Sequence, residues 1–154
     1  MEVNDKVADF TLQTDEDQTV HLKDFSGKPV VLFFYPRADT PGCTIEACGF
    51  RDVFKKIQQA GAVVLGISRD TPKAQKKFKE KYNLLYTLLA DVDEVVCKQF
   101  DVLKQKNMYG KKVIGIERTT FLIGPDQKLL KIFPKVKPEG HAEEVLAAVK
   151  AARG

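Results

Sequence analysis

The chain has no apolar run that approaches the roughly 20 residues needed to cross a bilayer. Its first residues, Met1–Lys6, also lack the basic segment and the apolar stretch of a signal peptide. These absences predict that the protein neither spans a membrane nor has a membrane as its partner. The expected location is therefore the cytosol.

Cysteine and histidine, the usual zinc ligands in proteins, are scarce, with three cysteines and two histidines in the chain. No Cys-x-x-Cys pair anchors a zinc site, and His21 and His141 are isolated from any other ligand-like cluster. We interpret both histidines as surface or capping residues and expect neither a metal nor another cofactor. The missing Cys-x-x-Cys also argues against a thiol–disulfide oxidoreductase of the thioredoxin type, which remains the enzymatic alternative.

The charge is mildly basic, with a net charge of +4 and a pI near 8.9. The lysines are spread over three segments, with acidic residues between many of them, and no nucleic-acid-binding motif accompanies them. This pattern predicts a solvated surface and no nucleic-acid partner. A basic binding or holdase protein with incidental cysteines stays open as an alternative, and it would show strongly salt-dependent binding.

Two β-rich apolar runs lie in the first half of the chain, at Pro29–Tyr35 and Ala62–Ser68. Continuous runs of this kind are typical of central strands that are covered on both faces. Between them, the segment from about Cys43 to Ala60 has apolar residues near helical spacing and is ended by Gly61. A strand, a helix and a second strand are predicted here, with the start of the helix at the carboxyl end of the first strand.

The other predicted elements place helices and strands alternately along one domain, residues 1–154. They are a hairpin of Asp9–Leu12 and Thr19–Leu22, a helix from Pro72 to about Tyr82 capped by Thr71, a strand at Leu88–Asp91, a short helix at Glu94–Phe100, a hairpin of Thr119–Ile123 and Lys128–Phe133, and a final helix at His141–Arg153. This order predicts a three-layer α/β protein with a mixed central sheet. The closest known arrangement is the thioredoxin fold with an added N-terminal β-hairpin.

Cys43 follows a Thr-Pro-Gly turn and is predicted in the first turn of a helix. Free backbone N–H groups and the positive end of the helix dipole favour a thiolate there. Lowering the pKa of a cysteine from about 8.5 to about 6 takes about 3.4 kcal/mol, whereas a helix terminus supplies about 2 kcal/mol at best. A reactive thiol at this position therefore needs a cation as well.

The spacing Pro36-x-x-x-Thr40-x-x-Cys43 matches the Pro-x-x-x-Thr/Ser-x-x-Cys signature of the peroxiredoxins. The full run from Phe34 to Cys48 resembles the bacterioferritin comigratory protein branch of that family, also called PrxQ. Further matches, which extend the resemblance over nearly the whole chain, are Leu65–Ser68, Phe78, Tyr82, Thr87–Asp91, Gly110–Lys112 and Gly115–Ile123.

The resemblance implies a role for each of five residues. Cys43 matches the peroxidatic cysteine, Thr40 the hydroxyl that bonds the thiolate and the peroxide, and Pro36 the residue that shields the pocket from water. Arg118 matches the arginine that holds the thiolate and the peroxide oxygens, and so supplies the cation. Cys48 matches the resolving cysteine. The implied activity is reduction of hydrogen peroxide and organic hydroperoxides by a monomer that thioredoxin or a similar dithiol recycles.

The four residues between the two cysteines set a geometric condition. On an ideal α-helix, residues five apart have Cα atoms about 8.7 Å apart, and a disulfide requires less than about 7 Å. If both cysteines are helical, the first turn or more must unwind before they can bond. Cys97 falls on the apolar side of a short helix and is interpreted as structural.

Overall fold

The computed structural model describes residues 1–153 and has a seven-stranded sheet at its centre. Along the chain the elements are β1 (Thr11–Thr14), β2 (Thr19–His21), a 3-10 turn (Leu22–Phe25), β3 (Val30–Phe34), α1 (Pro41–Gln59), β4 (Val63–Ser68), α2 (Pro72–Tyr82), β5 (Thr87–Ala90), α3 (Val95–Gln99), β6 (Leu103–Met108), β7 (Lys111–Ile116), β8 (Thr119–Ile123), β9 (Leu129–Phe133) and α4 (His141–Arg153).

The sheet is mixed, with the strand order β2-β1-β5-β4-β3-β8-β9. Strands β3, β4 and β5 run parallel, and β8 and β9 extend the sheet antiparallel. The N-terminal hairpin is not a separate unit, because β1 pairs with β5 and so lengthens the same sheet. The predicted thioredoxin fold with an N-terminal hairpin is confirmed, although β1 begins two residues later than predicted.

Alternation along β3 divides the core into two layers. Val31 and Phe33 pack with the apolar side chains of α1, α2 and α4, whereas Leu32 and Phe34 pack with α3 and the N-terminal segment. All five residues of the strand are buried, as expected for a strand covered on both faces. The continuous apolar run therefore specifies both layers at once.

The packing of α1 on β3 holds the start of the helix near the carboxyl end of that strand. Phe50 stacks on Phe33 with the ring centroids 4.6 Å apart. Gly66 leaves room for that ring, because a Cβ atom there would lie 2.8 Å from both Phe33 and Leu88. The helix is thereby fixed against the strand that leads into it.

One pair of strands was not predicted. β6 and β7 form a two-stranded antiparallel sheet of their own. Most of their side chains are exposed, so these residues lack the alternating apolar pattern by which strands are recognised. The pair leads directly into Glu117 and Arg118, and it therefore sets where that arginine emerges.

No helix within residues 1–153 is both long and apolar enough to cross a membrane.

Candidate active site

The N-terminus of α1 carries Cys43. Thr40 is the N-cap residue with extended backbone angles, Pro41 is the first helical residue, and Thr44 donates the first helical bond to the carbonyl oxygen of Thr40 at 2.8 Å. Cys43 is 1% exposed and lies among the first N–H groups of the helix, which have no partner inside it. The predicted helix-start position is confirmed, with α1 beginning two residues before Cys43.

Arg118 reaches this thiol from the loop between β7 and β8. Its Nη1 atom lies 3.4 Å from Cys43 Sγ, although 75 residues separate the two in sequence. The backbone of Arg118 is anchored because its carbonyl oxygen accepts the N–H of Val136 at 2.9 Å. A cation therefore stands beside the predicted nucleophile, in addition to the helix terminus.

Gly42 lies directly against the guanidinium of Arg118. A Cβ atom at this position would lie 3.0 Å from Arg118 Nη2, so the guanidinium would have to shift by a few tenths of an ångström. The glycine of the Thr-Pro-Gly turn therefore serves a second purpose beyond the turn itself. It leaves space for the guanidinium against the first turn of the helix.

Glu46 is a member of the site that the sequence reasoning missed. It lies one turn after Cys43, its side chain is 0% exposed, and its Oε1 atom accepts from Arg118 Nη1 at 2.9 Å. Burial raises the pKa of Glu46 to about 7, and the charge of Arg118 opposes this rise. The available signal was its place on the buried stripe of α1, where Cys43, Glu46, Ala47 and Phe50 share one face.

The ion pair also acts on the arginine. Burial alone would lower the pKa of Arg118, but Glu46 and Cys43 beside it raise that pKa above its ordinary value. The guanidinium is therefore charged at every pH at which a thiolate forms.

Thr40 and Pro36 lie in the loop between β3 and α1, as predicted. The hydroxyl of Thr40 donates to the carbonyl oxygen of Arg37 at 2.8 Å and thus holds the loop. Its bond to the thiolate and the peroxide stays a prediction. Pro36 is half-buried directly after Tyr35, where the chain leaves the sheet.

A chain of hydrogen bonds ties the same loop to the sheet. The hydroxyl of Tyr35 donates to Gln75 Oε1, and Gln75 in turn donates to Ser68 Oγ at 2.9 Å. Ser68 donates to Asp70 Oδ2 at 2.6 Å, and the backbone N–H of Ala38 donates to the same oxygen at 2.8 Å. The loop before Cys43 is therefore positioned by polar groups of β4, of α2 and of the turn between them.

Asp39 makes a second tie to the end of α2. Its carboxylate oxygens lie 2.9 Å from Lys81 Nζ and 2.7 Å from the hydroxyl of Tyr82. These two donors lower the pKa of Asp39.

Cys48 is half-buried on α1 and is not in contact with Cys43, since both are free thiols on one unbroken helix. Arg51 and Tyr86 are its electrostatic neighbours. Arg51 Nη1 donates to the carbonyl oxygen of Tyr82 at 2.8 Å. The hydroxyl of Tyr86 donates to the carbonyl oxygen of Ala47 at 2.6 Å. The two cysteines therefore meet the condition under which the helix must unwind before a disulfide forms.

Cys97 is fully buried. Burial raises its pKa far above that of a free thiol, and the neighbouring Asp91, which accepts the N–H of Cys97 at 2.7 Å, acts in the same direction. A cysteine that remains protonated is unreactive, which agrees with the structural interpretation.

The surface or capping interpretation agrees with His21, which is the N-cap residue of the 3-10 turn, whereas His141 is not a surface residue. His21 is half-exposed and hydrogen-bonds Thr11, whereas His141, the first residue of α4, is buried against Phe50 and Phe133. Burial lowers the pKa of His141, although Glu144 opposes this.

The chain is similar to known proteins over most of its length. The AhpC/TSA family model matches residues 3–132. The chain belongs to the AhpC/TSA family. It is 55% identical to a Bcp-type protein of Coxiella burnetii over 95% of this chain and 97% of that one. It is 44% identical to peroxiredoxin Bcp of Bacillus subtilis over 97% of this chain and 96% of that one.

Solved structures agree with this assignment. Peroxiredoxin Q of Xanthomonas campestris superposes with a TM-score of 0.90 at 42% identity, covering 94% of this chain and 92% of that one. A PrxQ mutant of Xylella fastidiosa superposes with a TM-score of 0.95 at 39% identity, covering 100% and 98%. This member of the AhpC/TSA family is thus a peroxiredoxin and a thiol-dependent peroxidase, and the predicted resemblance is confirmed.

Proposed function

We propose that Cys43 is the peroxidatic cysteine, and the observation that carries this is the 3.4 Å contact between its sulfur and Arg118 Nη1 at a helix N-terminus. The thiolate attacks one peroxide oxygen, the O–O bond breaks, and the sulfur is oxidised to a sulfenic acid. The other oxygen leaves with the bonding electron pair and takes up a proton as water or an alcohol. Arg118, Thr40 and backbone N–H groups stabilise the negative charge that shifts between the oxygens.

The proposed substrates are hydrogen peroxide and organic hydroperoxides. The bacterioferritin comigratory protein of Xanthomonas campestris, which is 41% identical to this chain, has alkyl peroxide reduction activity. Pro36 and the buried position of Cys43 keep water away from the sulfur.

The proposed resolving step joins Cys48 to the oxidised Cys43. The thiolate of Cys48 attacks the sulfenic sulfur, hydroxide leaves and is protonated, and an intramolecular disulfide forms. Thioredoxin or a similar dithiol reduces this disulfide. Both cysteines come from one chain, so the cycle needs no second subunit, and we propose a cytosolic monomer.

Substitution of each cysteine tests these roles. With thioredoxin, its reductase and NADPH, we expect Cys43→Ser to abolish peroxide turnover and Cys97→Ser to retain it, since Cys97 is a buried cysteine away from the site. Cys48→Ser should lose turnover but still consume about one equivalent of peroxide, because it forms the sulfenic acid and cannot resolve it. Unchanged turnover in Cys43→Ser would refute the assignment.

Hydrogen exchange tests the unwinding of α1. After one equivalent of peroxide, the amides between Cys43 and Cys48 are expected to exchange almost as fast as those of an unstructured segment, because the helix cannot hold both cysteines within bonding distance. Mass spectrometry of peptic peptides reports this change. Peroxide-treated Cys48→Ser is the control and should keep its protection. Full protection in the disulfide form of the wild type would contradict the model.

A further inference from the structure

Two acids of the active site share a single guanidinium nitrogen. Arg118 Nη1 donates to Glu46 Oε1 at 2.9 Å and lies 3.4 Å from Cys43 Sγ. If Glu46 is ionised, the positive charge of Arg118 is already balanced when the thiol loses its proton. If Glu46 is protonated, the whole charge of Arg118 is available to the thiolate.

The second oxygen of Glu46 makes this competition stronger. Within residues 1–153, Glu46 Oε2 is buried and has no hydrogen-bond partner. An ionised carboxylate in this position has one unsatisfied oxygen out of contact with water, which is costly. The protonated form places a neutral hydroxyl there instead, consistent with a pKa raised by burial to about 7.

We propose that Glu46 is a positioning residue that competes with the Cys43 thiolate for Arg118 and thereby sets the pH above which the peroxidase is active. Both negative charges would lie against one guanidinium nitrogen, so a negative charge on Glu46 disfavours a negative charge on Cys43. The proposal rests on the nucleophilic role of Cys43. It adds that the carboxyl one turn along the helix limits how much thiolate is present near neutral pH.

Three other titratable groups near the pair, Tyr35, Tyr86 and His141, are neutral near pH 7. Tyr35 and Tyr86 are buried, which raises the pKa of both phenols well above the ordinary value. His141 of α4 is buried, which lowers the pKa of its imidazole. None of these three neighbours is charged, so Glu46 and Cys43 compete for the positive charge of Arg118.

The decisive variant is Glu46→Gln, because a glutamine oxygen can still accept from Arg118 Nη1 but carries no negative charge. The thiolate of Cys43 is titrated by its ultraviolet absorbance in a Cys48→Ser background. We expect the midpoint to move lower by up to about one pH unit, with a thiolate-to-thiol ratio up to about tenfold higher above pH 7, where Glu46 of the parent protein is ionised. The rate of a single turnover with hydrogen peroxide should rise at about pH 7.5, where Glu46 of the parent protein is largely ionised, and stay nearly unchanged at pH 6, where Glu46 is already protonated.

Matched controls separate this effect from a structural one. Glu80→Gln removes an exposed carboxylate of α2 and should leave the titration unaltered. A rate that falls equally at every pH in Glu46→Gln, with the thiolate midpoint in place, would overturn the proposal and leave Glu46 a merely structural partner of Arg118.

Infrared spectroscopy of the Cys48→Ser protein gives a test that does not depend on the folding of the Glu46 variant. At pH 6 we expect a carboxylic acid C=O band from a buried carboxyl, and its disappearance as the pH rises above 8. Absence of a band at pH 6 would also overturn the proposal. Neither the band nor the titration requires peroxide, so a protein that failed to consume peroxide would contradict the assigned function without affecting these results.

Discussion

Replacement of Arg118 by methionine is expected to slow the reaction of Cys43 with hydrogen peroxide by about 100- to 1,000-fold, the usual effect of losing one donor that stabilises developing negative charge. The reason is that Nη1 is within 3.4 Å of the sulfur and belongs to the cation that this thiol contacts. Methionine has a similar length and no charge. The rate constant at pH 7 from stopped-flow measurement checks the prediction.

Two further variants define what the arginine contributes. Arg118→Lys retains the charge but not the planar fork, so its rate should fall between those of wild type and Arg118→Met. Arg51→Met removes another arginine, one that lies on α1 and contacts Asp52 and the carbonyl oxygen of Tyr82 in α2, and should react almost as wild type. A rate for Arg118→Met within about twofold of wild type would contradict the model.

The loss of Arg118 also leaves Glu46 without its partner. An unpaired buried carboxylate takes up a proton or distorts its surroundings. Measurement of Arg118→Met in a Glu46→Gln background removes this complication. The same large loss in both backgrounds would show that the effect comes from the missing guanidinium.

The centre of the fold was predictable because its sequence signals are local. The runs that became β3 and β4 are apolar throughout, since both faces of these strands are covered. The start of α2 was equally readable, because the hydroxyl of Thr71 accepts the N–H of Ala74 and Pro72 occupies the first position. Sequence spacing alone also placed Cys43 in the first turn of its helix.

The features that could not be predicted from the sequence depend on contacts between distant residues or on exposed strands. Glu46 looks like an ordinary helix acid until Arg118, 72 residues later, covers it. The strands β6 and β7 pair only with each other and face solvent, so no apolar alternation marks them. The resemblance to peroxiredoxins supplied Arg118, whereas its contact with a buried carboxylate required the folded chain.

The buried carboxyl should also make stability depend on pH in an unusual direction. In the folded protein, burial raises the pKa of Glu46 from 4.5 to about 7. Between these values the folded state holds a proton that the unfolded state has released. Its stabilising contribution is therefore complete below about pH 4.5 and is lost as the pH rises through 7. We expect this carboxyl to lower the free energy of unfolding by about 3 kcal/mol between pH 4.5 and pH 8.

Urea unfolding of Cys43→Ser isolates this effect, because the competing thiol is absent and Arg118 is retained. Other groups also titrate between pH 4.5 and pH 8, so the informative quantity is the difference between Cys43→Ser and the same protein with Glu46→Gln. We take the free energy of unfolding of the double variant minus that of Cys43→Ser. This difference should be about 3 kcal/mol larger at pH 8 than at pH 4.5, because glutamine occupies the site without ionising. Glu80→Gln, which removes an exposed carboxylate, should follow the parent curve. Parallel pH curves for the proteins with and without Glu46 would mean that Arg118 compensates the burial of this carboxylate completely, and Glu46 could not then hold a proton while Cys43 ionises.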